Sequence, residues 1–369
     1  MQKNTTGIGI IPAFSMMILT VGLMNHVLVI PPLLEVARRD AWLTIIVVTL
    51  PYLLWCCLIY LIMRNMQQAP IINWLQQHYG PVMAWAVRVF FILYLFAMAA
   101  ITLKETTTWT KVSYLNRTPI FVLVLTLLYV SYCAARWGFR TITISSGILL
   151  PFVLVFGDFV MSANLPKKNY TLMFPILENG WQPVIHSSMF ITGGLAELSI
   201  ILLFQHRLKS RLRLGTLLLI GLFLILLIMG PVTGAIAEFG PFEAADLRYP
   251  AYEEWRLVSI GKYIQHVDFL SIYQWVSGAV IRVALSIYLI ADLLPLRAPG
   301  ARDRIMIGVS VLLLIIAILP ISDMIYLQFM KRIYFPFSMG FALLITLNIF
   351  ILLQLARKRT AAGGKGRIR

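Results

Sequence analysis

The chain has 369 residues, of which 60% are hydrophobic and only 12% are charged, and its mean hydropathy is +0.84. Soluble domains carry about one quarter charged residues, so this composition excludes a soluble globular protein and indicates a polytopic membrane protein. The net charge of +16 would suit nucleic acid, but basic residues in a membrane protein first mark its cytoplasmic side. We therefore expect no nucleic-acid partner.

Apolar runs long enough to cross a bilayer as a helix, about 17–25 residues, occur ten times along the chain. We predict an all-α integral membrane protein with about ten transmembrane helices, called spans one to ten. They cover residues 8–33, 41–63, 82–103, 119–135, 141–162, 183–205, 214–237, 267–293, 304–320 and 334–355. They form a single transmembrane domain, 1–355, in two sets of five, about 8–162 and 183–355, and residues 356–369 form a basic tail.

The basic residues are unequally divided between the two sides of the predicted bundle. With the N-terminus inside, the inner segments carry more Lys and Arg than the outer ones, most densely in 207–213 (RLKSRLR) and in the tail. The positive-inside rule then predicts that the N- and C-termini are cytoplasmic. The basic segments would lie against anionic membrane lipids.

Span one is interrupted by small and polar residues. Gly22 is followed by Asn25 and His26 in an otherwise apolar stretch. A glycine tolerates backbone conformations that expose polar groups to a ligand, whereas a single membrane histidine is as often a hydrogen-bonded packing residue. Both interpretations of His26 stay open.

Outer segments separate several spans. Residues 104–118 are expected to form an outward loop. Residues 238–266 are too polar to span and too rich in helix formers and aromatic residues for a loose linker, so we expect short helices that cap the outer mouth. Charges such as Glu253 and Glu254 are expected to be solvated there, without a ligand role.

Span six carries a Gly193-Gly194 pair and then Glu197 near its middle. A carboxylate at membrane depth costs about 2.5–3.5 kcal/mol unless it faces protein, water or a ligand. Two adjacent glycines are the place where a membrane helix unwinds at the lowest cost. A broken helix beside a carboxylate predicts a binding site at the membrane midplane.

Spans one and six match each other. A proline precedes a glycine by ten residues in both, at Pro12–Gly22 and Pro183–Gly193, and a shift of 171 positions places His26 opposite Glu197. Two similar broken helices, 1 and 6, at the start of each chain half predict a 5+5 inverted repeat. The alternative is chance, because glycines are common in membrane helices.

Span eight carries a polar stripe. Asp268, Ser271, Trp275, Gly278 and Arg282 are spaced by three and four residues, so they share one helical face. Arg282 is deep enough in the span that it should face the bundle interior or a cytoplasmic cavity. Asp268 is either a site residue or an interfacial residue favoured by a helix N-terminus.

Motifs of catalysis and metal binding are missing from the sequence. There is no HExxH, no phosphate-binding glycine loop, no GxSxG and no Cys/His cluster with metal spacing. We expect that the protein is not an enzyme and uses no metal or other cofactor.

Three segments resemble one known family. They are GGLAELSIILLF in span six, the run from Gly22 to Pro31 in span one, and residues 239–276 (FGPFEAADLRYPAYEEWRLVSIGKYIQHVDFLSIYQWV). These segments resemble the B subunits of endospore germinant receptors, the spore germination permeases of the amino acid–polyamine–organocation (APC) superfamily. The match departs from the family pattern at GLMNH in span one and at His266.

The resemblance implies a fold, a location and partners. The fold is that of the leucine transporter, with a ligand site where broken helices 1 and 6 face spans three and eight. The location is the spore inner membrane or the cell membrane. The implied partners are the receptor A subunit and the lipoprotein C subunit.

We therefore hypothesise a germinant-sensing membrane subunit that binds a small ligand, an amino acid, and passes a conformational change to its partners. The alternatives are a proton- or cation-coupled amino acid transporter and a structural subunit whose glycines serve helix packing. Glu197 would pair either with the ligand ammonium or with His26. The candidate ligand-binding residues are Gly22, Leu23, Met24, Asn25, His26, Tyr94, Thr192, Gly193, Gly194, Glu197, Tyr273 and Ser277, with Asp268 and Arg282 in coupling or structural roles.

Overall fold

The computed structural model describes residues 7–259, 261, 266–296 and 298–365. Its regular elements in these ranges are helices, apart from one isolated bridge between Ile8 and Leu208. The α-helices are α1 Ile10–Leu23, α2 Ile30–Ala37, α3 Ala41–Met66, α4 Ile71–Ser113, α5 Ile120–Trp137, α6 Phe139–Ala163, α7 Trp181–Leu195, α8 Ile201–Phe204, α9 Leu214–Phe239, α10 Pro241–Asp246, α11 Pro250–Leu257, α12 Leu270–Leu293, α13 Ala301–Ile318, α14 Asp323–Phe329 and α15 Phe335–Lys365.

Eight helical stretches in the described ranges are long and apolar enough to cross a membrane. This confirms an all-α membrane protein. The stretches are Ile10–Met66, Ile71–Ser113, Ile120–Trp137, Phe139–Lys167, Trp181–Arg207, Leu214–Phe239, Leu270–Leu293 and Asp323–Lys358.

The difference from the ten predicted spans has two local causes. The first stretch, Ile10–Met66, covers both predicted spans one and two, which are separated by a short 3₁₀ turn that begins at Arg38, where φ is +46°. The ninth predicted span overlaps α13. The first turn of α13 carries Arg302, Asp303 and Arg304, so this 18-residue helix does not provide a full membrane-crossing length of apolar residues.

Helical geometry changes at both predicted interruptions without giving way to extended backbone. The segment Met24–Val29, between α1 and α2, is a π-helix, and Ala196–Ile200, between α7 and α8, is a 3₁₀-helix. Such changes of pitch inside longer helices are frequent at functional sites because they shift the hydrogen-bond register of the backbone. Both lie beside the residues that the sequence singled out, immediately after Gly22 and Gly194.

The two most buried stretches are the ones that carry Glu197 and Arg282. In the most apolar 18-residue window of each stretch, 83% of the residues of Trp181–Arg207 and 78% of those of Leu270–Leu293 are buried, against 17% for Phe139–Lys167. Since charged membrane residues face protein rather than lipid, this burial agrees with the positions of Glu197 and Arg282.

The N-terminal segment is tied to the basic stretch after α8. The Ile8 N–H donates to the Arg207 carbonyl at 3.0 Å, and the Lys209 N–H donates to the Ile8 carbonyl at 2.8 Å. The start of the chain and the RLKSRLR segment therefore lie on the same side of the bundle, as the sequence predicted.

The outer segment between α9 and α12 contains two short helices, α10 and α11, which pack on α9. This confirms the expected capping helices, although residues 260 and 262–265 lie outside the described residues. The expected outward loop 104–118 is wrong in its first part, because α4 continues to Ser113 and buries Glu105, Thr106, Thr107 and Trp109.

Candidate ligand site

A fully buried ion pair lies where the central helices meet. Both carboxylate oxygens of Glu197, in the 3₁₀ segment, accept hydrogen bonds from the two terminal nitrogens of Arg282, in α12. The exposed fraction of both side chains is 0%. The planar guanidinium matches a carboxylate with two parallel hydrogen bonds, which is the strongest form of this contact.

Further partners saturate the pair. Arg282 Nε donates to Thr102 Oγ1 at 2.6 Å, and Arg282 Nη1 also donates to the Thr20 carbonyl at 2.8 Å. The Tyr334 hydroxyl donates to Glu197 Oε1 at 2.9 Å. One network therefore joins α1, α4, α12, the 3₁₀ segment and the π-helical Met330–Tyr334 segment. A charge pair at this depth is stable only when such additional hydrogen bonds satisfy it.

The glycine pair allows close packing beside this network. A Cβ on Gly193 would lie 2.6 Å from the Phe335 carbonyl oxygen, and a Cβ on Gly194 would lie 2.6 Å from Val29 Cγ2. Ser338 donates to the Gly193 carbonyl at 2.6 Å and also bonds the Tyr94 hydroxyl at 2.8 Å. The glycines thus bring α7 against α15 and the π segment.

The structure divides the predicted site residues among several places. One group surrounds the ion pair and the glycines, a second lines a large cavity, and Tyr273 instead packs edge-on against Phe152 and Phe156 of α6. Ser277 is buried in α12. The first group comprises Asn25, Tyr94, Thr192, Gly193, Gly194, Glu197 and Arg282, while Gly22, Leu23 and His26 line the large cavity and Leu23 and Met24 line a smaller one.

Two interactions of polar site residues differ from the expectation. His26 Nδ1 lies 3.1 Å from the Leu227 carbonyl and Glu197 is bound to Arg282, so the alternative of a Glu197–His26 pair is wrong. Asp268 makes no capping hydrogen bond at the start of α12 and is instead a partner of the Tyr252 hydroxyl at 3.3 Å and the Tyr114 hydroxyl at 3.4 Å. The polar stripe of span eight thus ends in tyrosine contacts on the outer side.

A small cavity of about 10 Å³ separates this network from the outer side. It is enclosed by α1, the π segment, α4 and α12, and Glu105, Trp275 and Arg282 contribute to its wall. This is about the space of one water molecule. The space between spans one, three and eight is therefore too small for an amino acid in this structure.

Arg248 forms a second ion network above that cavity. It contacts the buried Glu105 of α4 at 2.8 Å and Asp323 of α14 at 2.9 Å, and its guanidinium lies 4.5 Å from the Tyr249 ring centre. The sequence reasoning missed Glu105 because the residue was placed in a loop. The KETTTWT run lies on a helical extension of span three. The carboxylate followed by three threonines was the one signal in the sequence that could have indicated a buried polar group at this place.

Loss of this network should loosen the outer cap. We expect Arg248→Gln to leave Glu105 buried without its basic partner and to lower the free energy of unfolding by about 1–3 kcal/mol. Hydrogen–deuterium exchange in α10 and α11 should become faster. Arg256→Gln is the control, because the pair of Arg256 and Glu253, at 2.9 Å, lies at the surface. Equal exchange in the two variants would contradict the role of Arg248.

The large cavity, of about 420 Å³, lies between α1, α6, α9 and α12 and is covered by α11. Gly22, Leu23 and His26 belong to its wall, and so do Tyr252 and Glu254 of α11. The lining is mostly apolar. Three of the predicted ligand-binding residues therefore face a space that can hold a small molecule.

The expectation that Glu254 is a solvated cap residue is wrong. Its exposed fraction is 5%, whereas the adjacent Glu253 reaches the surface, because neighbouring residues point to different faces of α11. Burial, and then the nearby Glu238, raises the pKa of Glu254 well above its ordinary value. Lys168 Nζ lies 3.4 Å from Glu238 Oε1 and 4.0 Å from Glu254 Oε2.

Comparisons with known proteins agree with this architecture. A family model described as "Spore germination protein" matches residues 10–326. The chain is 38% identical over 341 residues to spore germination protein XB of Bacillus anthracis, which covers 92% of this chain and 96% of that protein. It is 27% identical over 266 residues to the putative spore germination protein YfkT of Bacillus subtilis (strain 168), covering 70% and 71% of the two chains. The chain therefore belongs to the spore germination protein family.

Proposed function

We propose that the protein is the germinant-sensing membrane subunit of a spore germinant receptor. A small ligand would bind between the π segment of the first helix, the 3₁₀ segment after α7, α4 and α12. The observation that carries the proposal is the buried Glu197–Arg282 pair, because it joins the elements expected around such a site. The proposed role is non-catalytic.

The chemistry of the pair favours an amino acid as the ligand. A zwitterion carries both charges needed to exchange with the pair, an ammonium for Glu197 and a carboxylate for Arg282. A neutral sugar or nucleoside would leave both charges without compensation. The backbone near Gly22–Asn25 and Gly193–Gly194 would supply further polar groups to the ligand carboxylate.

Exchange of partners would also supply a signal. With the ligand bound, Glu197 and Arg282 would no longer hold the central helices to each other directly. The equilibrium between the paired and the separated arrangement of these helices would then shift by the difference between the ligand's affinities for the two arrangements. Partner subunits, which we propose are the receptor A subunit and the lipoprotein C subunit, would respond to that shift. The proposed location is the spore inner membrane with both termini cytoplasmic.

The packing of the helices supports the inverted repeat within this proposal. If the halves are equivalent, α1 corresponds to α7, α4 to α12, α5 to α13 and α6 to α15. Equivalent helices then make equivalent contacts: α1 packs on α6 and α7 on α15, while α5 packs on α12 and α13 on α4. Counterparts in the two halves also pair with each other, α3 with α9, α4 with α12 and α5 with α13. We propose that the two chain halves are related in this way, with the π and 3₁₀ segments in the positions of the broken helices.

The test is ligand-dependent thermal stabilisation of the purified protein with a panel of amino acids, nucleosides and sugars. We expect an amino acid to stabilise the wild type and Glu197→Gln to weaken that effect. The control is Glu35→Gln, which removes a carboxylate that pairs with Lys331 at the surface. A sugar or nucleoside that stabilises both forms equally would contradict the proposed site.

The second candidate is a proton- or cation-coupled amino acid transporter, which needs the same site. The buried Glu197 favours it, since membrane carboxylates also serve as proton carriers. Uptake into reconstituted vesicles separates the two functions. Saturable accumulation driven by a gradient would establish transport, and binding without accumulation would establish a sensor alone.

A further inference from the structure

Beside the large cavity lies a charge imbalance that the proposed amino acid site does not use. Glu238 and Glu254 share one buried ammonium, that of Lys168, whose exposed side-chain fraction is 1%. Lys167 is exposed. Its ammonium donates to the Leu257 carbonyl and, at 3.2 Å, to Ser259 Oγ. In this part of the structure, two buried carboxylates therefore face one buried cation.

Glu254 is the member of this group that reaches the cavity. It belongs to the cavity wall, and its Oε1 is buried and has no hydrogen-bond partner among the described residues. Gln274, which also belongs to the cavity wall, is satisfied, since it accepts from Trp255 Nε1 at 2.9 Å and donates to the Val153 carbonyl at 2.8 Å. A buried carboxylate oxygen without a partner is costly unless a ligand or a proton supplies one.

The other residues of the cavity wall favour a ligand with a positive charge and an apolar remainder. No Lys or Arg belongs to the described cavity wall, so a carboxylate or phosphate has no basic partner there. Tyr249, Tyr252, Trp255 and Trp275 line the outer end beside Glu254, and aromatic rings attract cations. The rest of the wall is mostly apolar, with His26 and Asp158 as further titratable residues.

The cavity wall reaches the lateral surface of the bundle at α6 and α9. Met161 of α6 and Leu226 of α9 both line the cavity, and their exposed fractions are 48% and 57%. The exposed parts of these side chains lie on membrane-spanning helices, whose outer faces meet the acyl chains of a bilayer. Entry of a ligand from the membrane between these two helices is therefore part of the proposal below.

We propose that this cavity is a second binding site, for a molecule that carries a primary ammonium on an apolar body, with the ammonium at Glu254 and the body between α6 and α9. Glu254 itself does not belong to the hydrogen-bond network of the Glu197–Arg282 pair described above. Two sources share this chemistry, a free long-chain amine and the ethanolamine headgroup of a membrane lipid. Binding would keep Glu254 ionised against the upward pKa shift that burial and Glu238 impose.

The test uses the full chain in phosphatidylcholine nanodiscs with decylamine as the probe. Decanol and decanoate, which share the tail but lack the positive charge, are the comparators. We expect decylamine to raise the thermal unfolding midpoint more than either comparator. Glu254→Gln should weaken its apparent affinity about ten-fold or more, because a charge-assisted hydrogen bond is lost, whereas Glu253→Gln should leave it unchanged.

A second variant keeps the proposal testable if Glu254→Gln fails to fold. Gly230 lines the cavity, and a Cβ there would meet no atom within 4 Å, so Gly230→Phe should fill the space and abolish the decylamine effect. Equal stabilisation by decanol, or an unchanged decylamine effect in Gly230→Phe, would overturn the proposal. Competition by added phosphatidylethanolamine would identify the lipid as the source, and its absence would identify a free amine.

Discussion

Arg282→Gln should lower the free energy of unfolding by about 3–5 kcal/mol, because it leaves the Glu197 carboxylate buried without its partner. The effect should be large since Glu197 lies at membrane depth and its exposed fraction is 0%. The measurement is denaturant or thermal unfolding of the purified protein. The double variant Glu197→Gln/Arg282→Gln should recover part of the loss, because neither charge is then left alone.

The exposed pair of Glu35 and Lys331 supplies the matched control. The side chains are 53% and 23% exposed, and solvent-exposed pairs contribute about 1 kcal/mol or less. Lys331→Gln should therefore change stability little. If Arg282→Gln were no more destabilising than Lys331→Gln, the central pair would not hold the bundle together, and the proposed exchange with a ligand would lose its basis.

Gly193→Ala should destabilise the protein by about 1–3 kcal/mol, because the new methyl group has no room. Its Cβ would lie 2.6 Å from the carbonyl oxygen and 3.0 Å from the Cα of Phe335. Both are backbone atoms, so α15 itself has to move away from α7. The expected result in thermal unfolding is a lower midpoint together with weaker stabilisation by the amino acid ligand proposed above.

Gly308→Ala is the control for the glycine prediction. A Cβ at Gly308 of α13 would meet nothing within 4 Å, and alanine favours a helix over glycine by up to about 1 kcal/mol. The two substitutions should therefore change stability in opposite directions. The same sign in both would show that helix propensity, and not close packing at Gly193, decides the outcome.

Much of the fold followed from the sequence. Membrane helices are set by the length and hydropathy of single segments, and those properties are local. The same logic identified Glu197 and Arg282, since a charge inside an apolar span has to face protein. It placed Glu105 in a loop because a polar run at the end of a span has no local signal that separates a loop from a buried helical extension.

Pairings within the site required the three-dimensional structure. Glu197 is 85 positions from Arg282, and nothing in either segment favours this partner over the His26 that the repeat places opposite Glu197. Glu253 and Glu254 show the same limit. They are adjacent and chemically identical, and only the docking of α11 on α9 decides which one is buried.

The backbone bonds between Ile8 and the segment 207–209 have a consequence when they are combined with the Arg248 network. One joins Ile8, just before α1, to the segment that follows α8, and the other joins the connection between α10 and α11 to α4 and α14. If the proposed ligand reaches the Glu197–Arg282 pair from water, the bundle has to loosen at one of these two fastenings. We therefore expect that a substitution which weakens the contacts of Ile8 changes which end of the bundle opens, although Ile8 lies outside the proposed ligand site.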